Sequence, residues 1–137
     1  MKKFKSTINE KSASFKTNKD AMLKLIEKLE YNLSLSKILG NKVSLEKAKD
    51  RGKSLANEKI KKILDKDSEF LELMPLAGLK HENGFGPGGT TISGIGYVSK
   101  KPCIISSNIG TKKGGAVDYA TSLKNLRLSQ IAKENKL

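Results

Sequence analysis

The chain has 137 residues, a formal charge of +13 from 27 Lys+Arg against 14 Asp+Glu, 36% hydrophobic residues and no Trp. That length allows one domain at most and excludes a complete two-domain enzyme, and no apolar stretch approaches the roughly 20 residues needed to span a bilayer. The single Cys103 cannot form an internal disulfide, and no Cys/His cluster supplies the ligands of a zinc site, so no metal is expected and a reducing compartment is.

The basic start Met1-Lys2-Lys3-Phe4-Lys5 is not followed by an apolar core or a small-residue cleavage site, which makes the cytoplasm the expected location. Only Arg51 and Arg127 among the basic residues are Arg, leaving 25 Lys, and lysine is a hydrated point charge that lacks the planar fork used for reading bases. The excess charge is uneven: residues 1 to 66 carry 18 basic and 8 acidic side chains, residues 67 to 137 carry 9 and 6.

Residues 1–18 hold five Lys, three Ser and two Thr with few apolar residues, and are expected to form a flexible basic arm. Asp20 is the candidate cap of a helix in which Met22, Leu23, Leu25, Ile26, Leu29 and Leu33 recur at helical spacing, ending near Gly40-Asn41. Residues 19–50 therefore read as an N-terminal helical segment whose stripe packs on a partner.

The basic stretch Glu46 to Lys53 leads to Ser54, a candidate N-cap, and to the amphipathic run Ile60, Ile63, Leu64, closed by the turn Asp65-Lys66-Asp67-Ser68. Phe70, Leu71, Leu73 and Met74 form an apolar segment too short to assign to strand or helix, and Gly84 to Gly89 form a flexible loop. Thr91–Val98 and Cys103–Ser107, separated by Ser99-Lys100-Lys101-Pro102, predict a β-hairpin, with Gly94 and Gly96 leaving room for close approach of another backbone. A loop from Asn108 to Gly115 then delivers the chain to a helix whose Ala120, Leu123, Leu126, Leu128 and Ile131 make a stripe broad enough to predict burial. A buried helix after two strands needs more sheet to cover it, so the fold reads as unfinished beyond Leu137.

Neither Gly84 to Gly89 nor Gly110 to Gly115 fits a nucleotide fingerprint: the first contains Pro87 and precedes a strand, the second lacks the GK[ST] ending. Gly114-Gly115, at a strand-to-helix junction, either makes a tight turn or lets consecutive backbone N–H groups face an anionic atom in the manner of an oxyanion hole. Asp118 reads as a helix cap, His81 as a solvated loop residue and Cys103 as a small buried hydrophobe.

The ordered blocks Glu58-Lys59-Ile60, Ile63-Leu64-Asp65, Ser68 to Leu73, Pro75-Leu76-Ala77-Gly78, Gly88-Gly89, Gly94-Ile95-Gly96 and Lys113-Gly114-Gly115 resemble the carboxyltransferase (β) subunit of biotin-dependent acyl-CoA carboxylases. The resemblance runs over residues 51–137 and is nearer the methylcrotonyl-CoA and geranyl-CoA carboxylases than the propionyl-CoA type, with Tyr97 and Ser107-Asn108 as departures. It implies an α/β fold, an incomplete crotonase-like fold of ββα units preceded by N-terminal helices, covering the start of the acyl-CoA carboxyltransferase N-terminal domain. It implies that Gly114 and Gly115 supply a backbone oxyanion hole to the acyl-CoA thioester, with Ala116, Lys112, Lys113, Arg51 and Lys53 as substrate-binding residues. Biotin is the implied cofactor, as carboxybiotin carried on a partner. The implied partners are the remainder of the carboxyltransferase, in the same or a separate chain, and a biotin carboxylase/biotin carrier subunit in an oligomeric assembly. The second glycine loop and the biotin-receiving domain would lie past Leu137, so this chain alone is expected to be inactive. The alternatives from other classes are a basic nucleic-acid-binding protein, weakened by the scarcity of Arg and aromatics, and an assembly module formed by residues 1–50.

Overall fold

The computed structural model describes residues 6–82 and 84–137. It divides into two compact units, Met1–Tyr31 and Asn32–Leu137.

The first unit consists mainly of the leading part of helix α1 (Ala13–Ser36). The helix starts ahead of the expected cap at Asp20 because Ser12 does the capping: its hydroxyl accepts the Phe15 N–H at 3.2 Å. Residues 13–18, read as part of a flexible arm, are therefore helical, while residues 1–5 of that arm lie outside the described residues. A polar stretch with a capping serine needs no apolar stripe to form a helical turn. The predicted apolar stripe is exposed in this unit, Met22 at 57% and Leu25 at 61%.

In the second unit α1 ends at Ser36, short of Gly40-Asn41. Asn41 instead caps α2 (Lys42–Asp50), its side-chain oxygen accepting from Ser44 N at 2.8 Å, and Gly52 at φ 63° turns the chain out of the helix. Helix α3 (Ala56–Ile63) begins one residue past the expected Ser54 cap: the Glu58 carboxylate accepts from the Leu55 N–H at 2.7 Å, and Ser54 Oγ receives the Lys62 ammonium at 2.9 Å. Ala56 and Ile60 turn inward while Ile63 is half exposed.

The sheet is an antiparallel meander of β1 (Leu71–Glu72), β2 (Thr91–Val98) and β3 (Lys101–Asn108), in that spatial order. Within the ambiguous segment Phe70–Met74 only Leu71-Glu72 is strand, paired Leu71 to Ile95 and Glu72 to Gly94. The predicted hairpin is present in the register Ile95 to Ile104, but its turn is only Ser99-Lys100: Lys101 and Pro102, expected in the turn, already pair with Val98 and Tyr97 as the start of β3. A side chain at Gly94 would run into the Leu71 carbonyl and the Phe70 ring, and one at Gly96 into Leu64, so both glycines permit the close approach inferred from sequence. Helix α3 packs on β2 and β3, and α4 (Tyr119–Asn135) packs on β3, so that β2, β3 and α4 form a ββα unit.

The hairpin turn is unusual in sequence. Ser99 and Lys100 both adopt left-handed backbone angles (φ 51° and 64°), the geometry that two-residue hairpins normally fill with Asn-Gly. Asp65 compensates from outside: its two carboxylate oxygens accept the Ser99 and Lys100 N–H groups at 2.7 and 2.6 Å, and its own N–H donates to the Tyr97 carbonyl at 2.9 Å.

Helix α4 departs from expectation in what it buries. Leu128 and Ala120 are enclosed as predicted, but Leu123 and Leu126 are 48% and 59% exposed. The inward face instead includes Thr121 and Lys124, because positions 120, 124 and 128 lie one turn apart on one side of the helix.

Asp65→Ala is expected to lower stability by about 1–3 kcal/mol through loss of its two charge-assisted bonds to the turn. Replacing Ser99-Lys100 by Asn-Gly in the same variant should restore most of it. Urea denaturation checks both, and an Asp65→Ala midpoint equal to that of the parent chain rejects the clamp.

Candidate functional site

The chain leaves β3 through a turn built on three consecutive left-handed residues, Lys113, Gly114 and Gly115 (φ 51°, 67° and 79°). The Gly115 N–H donates to the Lys112 carbonyl at 3.0 Å and the Ala116 N–H to the Lys113 carbonyl at 3.2 Å. The Gly114 N–H has no backbone acceptor among the described residues, and nothing lies within 4 Å of where its Cβ would stand.

Gly114 lies on the wall of a cleft of about 350 Å3 between α2, the start of α3 and the exit of β3. Lys47, Arg51, Lys53 and Lys59 line the cleft with Asn108 and Gly110, and no carboxylate does. Four unbalanced cations around a concave surface focus a positive potential that favours anions, phosphates above all.

Of the residues singled out by sequence, the fold brings together Arg51, Lys53 and Gly114 in that cleft. It places the others elsewhere. Lys112 directs its ammonium to the Pro87 carbonyl at 3.4 Å, and burial lowers its pKa while Asp118 pulls it part of the way back. The Lys113 ammonium sits 5.9 Å from the centre of the Phe85 ring. Gly115 and Ala116 supply the two bonds that shape the turn.

Asp118 caps α4 as expected, accepting from Thr121 N at 2.8 Å and also from Phe85 N at 2.9 Å. Burial acts to raise its pKa, but the hydrogen bonds from Thr121 and Phe85 more than offset this and leave the carboxyl below its ordinary value. His81 is exposed, its ring 5.8 Å from that of Tyr119. Among the described residues no three His, Cys, Asp or Glu side chains converge on a metal position.

Sequence reasoning missed Lys47 and Lys59 in the cleft, and above all Lys124. This lysine is only 2% exposed, and its ammonium donates to the carbonyls of Gly88 at 3.2 Å and Thr91 at 2.8 Å. Burial lowers its pKa from 10.5 to about 8, opposed by the charge of Glu72 and reinforced by that of Lys112. The signal was available: a lysine four residues from both Ala120 and Leu128, inside a stripe otherwise predicted to be buried.

The carboxyl transferase domain family matches residues 47–137. The chain belongs to that family. Relatives of this carboxyl transferase chain include the probable methylcrotonoyl-CoA carboxylase beta chain of Drosophila melanogaster, 38% identical over 96% of this chain and 23% of that protein. The biotin-dependent 3-methylcrotonyl-coenzyme A carboxylase beta1 subunit of Mycobacterium tuberculosis is 36% identical over 86% of this chain and 22% of its own. Among solved structures, the geranyl-CoA carboxylase beta subunit of P. aeruginosa superposes with a TM-score of 0.72 at 33% identity, over 98% of this chain and 25% of that one. The transcarboxylase 12S core, at a TM-score of 0.68 and 22% identity, shares the fold. The carboxyl transferase chain thus spans about a quarter of the length of the proteins it matches, and its architecture is part of a crotonase-like carboxyltransferase fold. The methylcrotonyl/geranyl side of the family, expected from the blocks around Lys113-Gly114-Gly115, is the side these relatives occupy. The nucleic-acid-binding alternative gains no support from them.

The depressed pKa of Lys124 has a definite consequence for stability. Between about 8 and 10.5 the unfolded chain holds a proton that the folded chain has released, so this group makes stability rise with pH across that window and leaves it flat below about 8. Guanidinium denaturation of the parent and of Lys124→Met on either side of the window checks the sign: the parent gains relative to the variant as pH rises, and a loss would reject the assignment.

Proposed function

We propose that this chain forms the N-terminal part of the acyl-CoA site of a biotin-dependent carboxyltransferase acting on a branched unsaturated acyl-CoA such as 3-methylcrotonyl-CoA. The observation that carries this is the cleft in which Arg51 and Lys53, with Lys47 and Lys59, face the wall containing Gly114. The cations suit the phosphates of coenzyme A, and the N–H of Gly114 suits the thioester oxygen.

As the α- or vinylogous carbon of the acyl group loses its proton, negative charge moves onto the thioester oxygen. A donor fixed beforehand stabilises that charge without reorganising at the moment of reaction. Gly114 N–H is that donor. Gly115 contributes differently: its N–H is engaged by the Lys112 carbonyl, and it holds Gly114 in the left-handed geometry that exposes its amide. Ala116, through its bond to the Lys113 carbonyl, closes the same turn. Lys112 and Lys113 lie outside the cleft and reach Pro87 and Phe85.

Carboxybiotin, when bound, supplies the carboxyl group that the enolate carbon accepts. The cations of this cleft are assigned to the coenzyme A phosphates, so carboxybiotin is held by other residues. A second N–H for the oxyanion, a biotin carboxylase and a biotin carrier subunit are the partners this reading requires, in an oligomeric assembly. No helix among the described residues is long and apolar enough to cross a membrane. The lone Cys103 supports a reducing compartment, the cytoplasm in the simplest form of the proposal, although three of the relatives are named as mitochondrial. The exposed stripe of α1 around Met22 and Leu25 supports a docking role for residues 1–50 within that assembly.

Calorimetric titration of a complex of this chain with the remainder of the carboxyltransferase is expected to show binding of 3-methylcrotonyl-CoA that weakens as salt is raised. Arg51→Gln and Lys53→Gln should each weaken it about 2- to 5-fold, as befits partly exposed charge contacts of roughly 0.5–1 kcal/mol. Absence of binding at low salt overturns the assignment of the cleft.

A further inference from the structure

Among the described residues Lys124 is the one strongly buried cation that the carboxyl transfer reading does not use. Its position is odd for a lysine. It lies mid-helix in α4, on the face that packs against the sheet, and its ammonium reaches the Gly88 and Thr91 carbonyls that bracket the entry to β2. A leucine or methionine there would fill the same space without desolvating a charge.

What those carbonyls belong to gives the lysine a role. The Gly88–Thr91 segment is tied to the exit of β3 by the Ile109 N–H, which donates to the Thr90 carbonyl at 2.8 Å. The Ile109 carbonyl in turn accepts the Lys112 N–H at 3.0 Å, and the Lys112 carbonyl accepts the Gly115 N–H at 3.0 Å. The same segment is approached from the far side by Lys112, whose ammonium donates to the Pro87 carbonyl. These bonds join different peptide groups and couple the segments mechanically through the intervening backbone, with the lysine anchoring one end of the path and the Gly114-Gly115 turn lying at the other.

We propose that Lys124 is a positioning residue for the Lys112–Gly115 turn: its ammonium fixes the Gly88–Thr91 segment, and that segment, through Thr90 and Ile109, fixes the turn that presents the Gly114 N–H. The functional weight of this rests on the reading of Gly114 as the oxyanion donor; the coupling itself does not. Lys124 acts at a distance and touches no substrate. The charged and titratable groups around it are Glu72 on β1 and Lys112 on the turn, with Asp118 acting on Lys112, while His81 and Tyr119 line the same groove as Lys124. Loss of the Lys124 proton weakens a charge-assisted pair of bonds to neutral ones, and the loosened Gly88–Thr91 segment shifts the turn that carries Gly114.

The test is carbon-detected NMR on the full 137-residue chain, titrated from about pH 6.5 to about 10 with no ligand added. The Lys124 ε-carbon reports its own ionisation, expected at about 8. The carbonyl carbons of Gly88 and Thr91, and that of Gly114, are expected to shift with the same midpoint. The Gly114 shift should persist in Lys112→Gln, which removes the nearer titrating amine, and vanish in Lys124→Met. If Gly114 stays fixed while Gly88 and Thr91 follow Lys124, or titrates at a different midpoint from Lys124, the coupling is overturned. Should Lys124→Met fail to fold, the parent and Lys112→Gln titrations still decide between these outcomes. Because no acyl-CoA enters the measurement, its failure is separate from any failure of the cleft to bind coenzyme A.

Discussion

The burial of one ammonium group against two backbone carbonyls governs how this chain can be built. Among the described residues the fully enclosed apolar side chains are few, chiefly Ile60, Ile105, Ile109 and Leu128 with two alanines, and around them lies a polar layer of Thr90, Thr91, Ser93, Thr121 and Lys124. Such a layer is stable only where its members satisfy one another. Thr121 accepts the Thr90 N–H, Ser93 pairs with Ser106 across the hairpin and Lys124 takes the Gly88 and Thr91 carbonyls, while the buried Thr91 hydroxyl is left without a partner. Removing the lysine would leave the Gly88 and Thr91 carbonyls enclosed without their charged donor, so the helix, the glycine turn and the sheet have to be read as one polar assembly sealed by a thin apolar shell.

The cleft is built on a different principle. Nothing in it is deeply desolvated, and its character comes from the net balance of charge: four cations and no carboxylate along α2, α3 and the β3 exit. That makes it a steering surface, strong in attracting a polyanion and weak in discriminating among polyanions. Discrimination has to come from the neighbouring turn, whose shape is dictated by backbone angles more than by side chains.

Period and turn chemistry made much of this legible. The hairpin was readable because Thr91–Val98 and Cys103–Ser107 flank turn residues, and α4 because Asp118 caps an apolar repeat. The start of α1 was not, since its first turns carry no stripe and depend on the hydroxyl of Ser12. The Ser54 cap was misplaced by one residue because Glu58 reaches back to Leu55, a bond that composition does not distinguish from a surface carboxylate. Gly114 and Arg51 could be named from resemblance, but residues 63 positions apart meet only through the packing of α2 and α3 beside the β3 exit. Lys124 escaped because lysine is scored as polar wherever it stands, while its stem is as apolar as a leucine.

Lys113 shows what the chain gives up to keep the turn as it is. A lysine at φ 51° sits in a backbone region that glycine occupies freely and that costs other residues about 1 kcal/mol. The next two positions are already glycine, so a third would have been the relaxed choice. Keeping a side chain there means that the stem and charge resting over Phe85 repay the distortion. It also leaves the turn under tension at its first residue, so that a change at Lys113 alters the stiffness of the loop as well as its charge, and any comparison of variants at that position mixes the two.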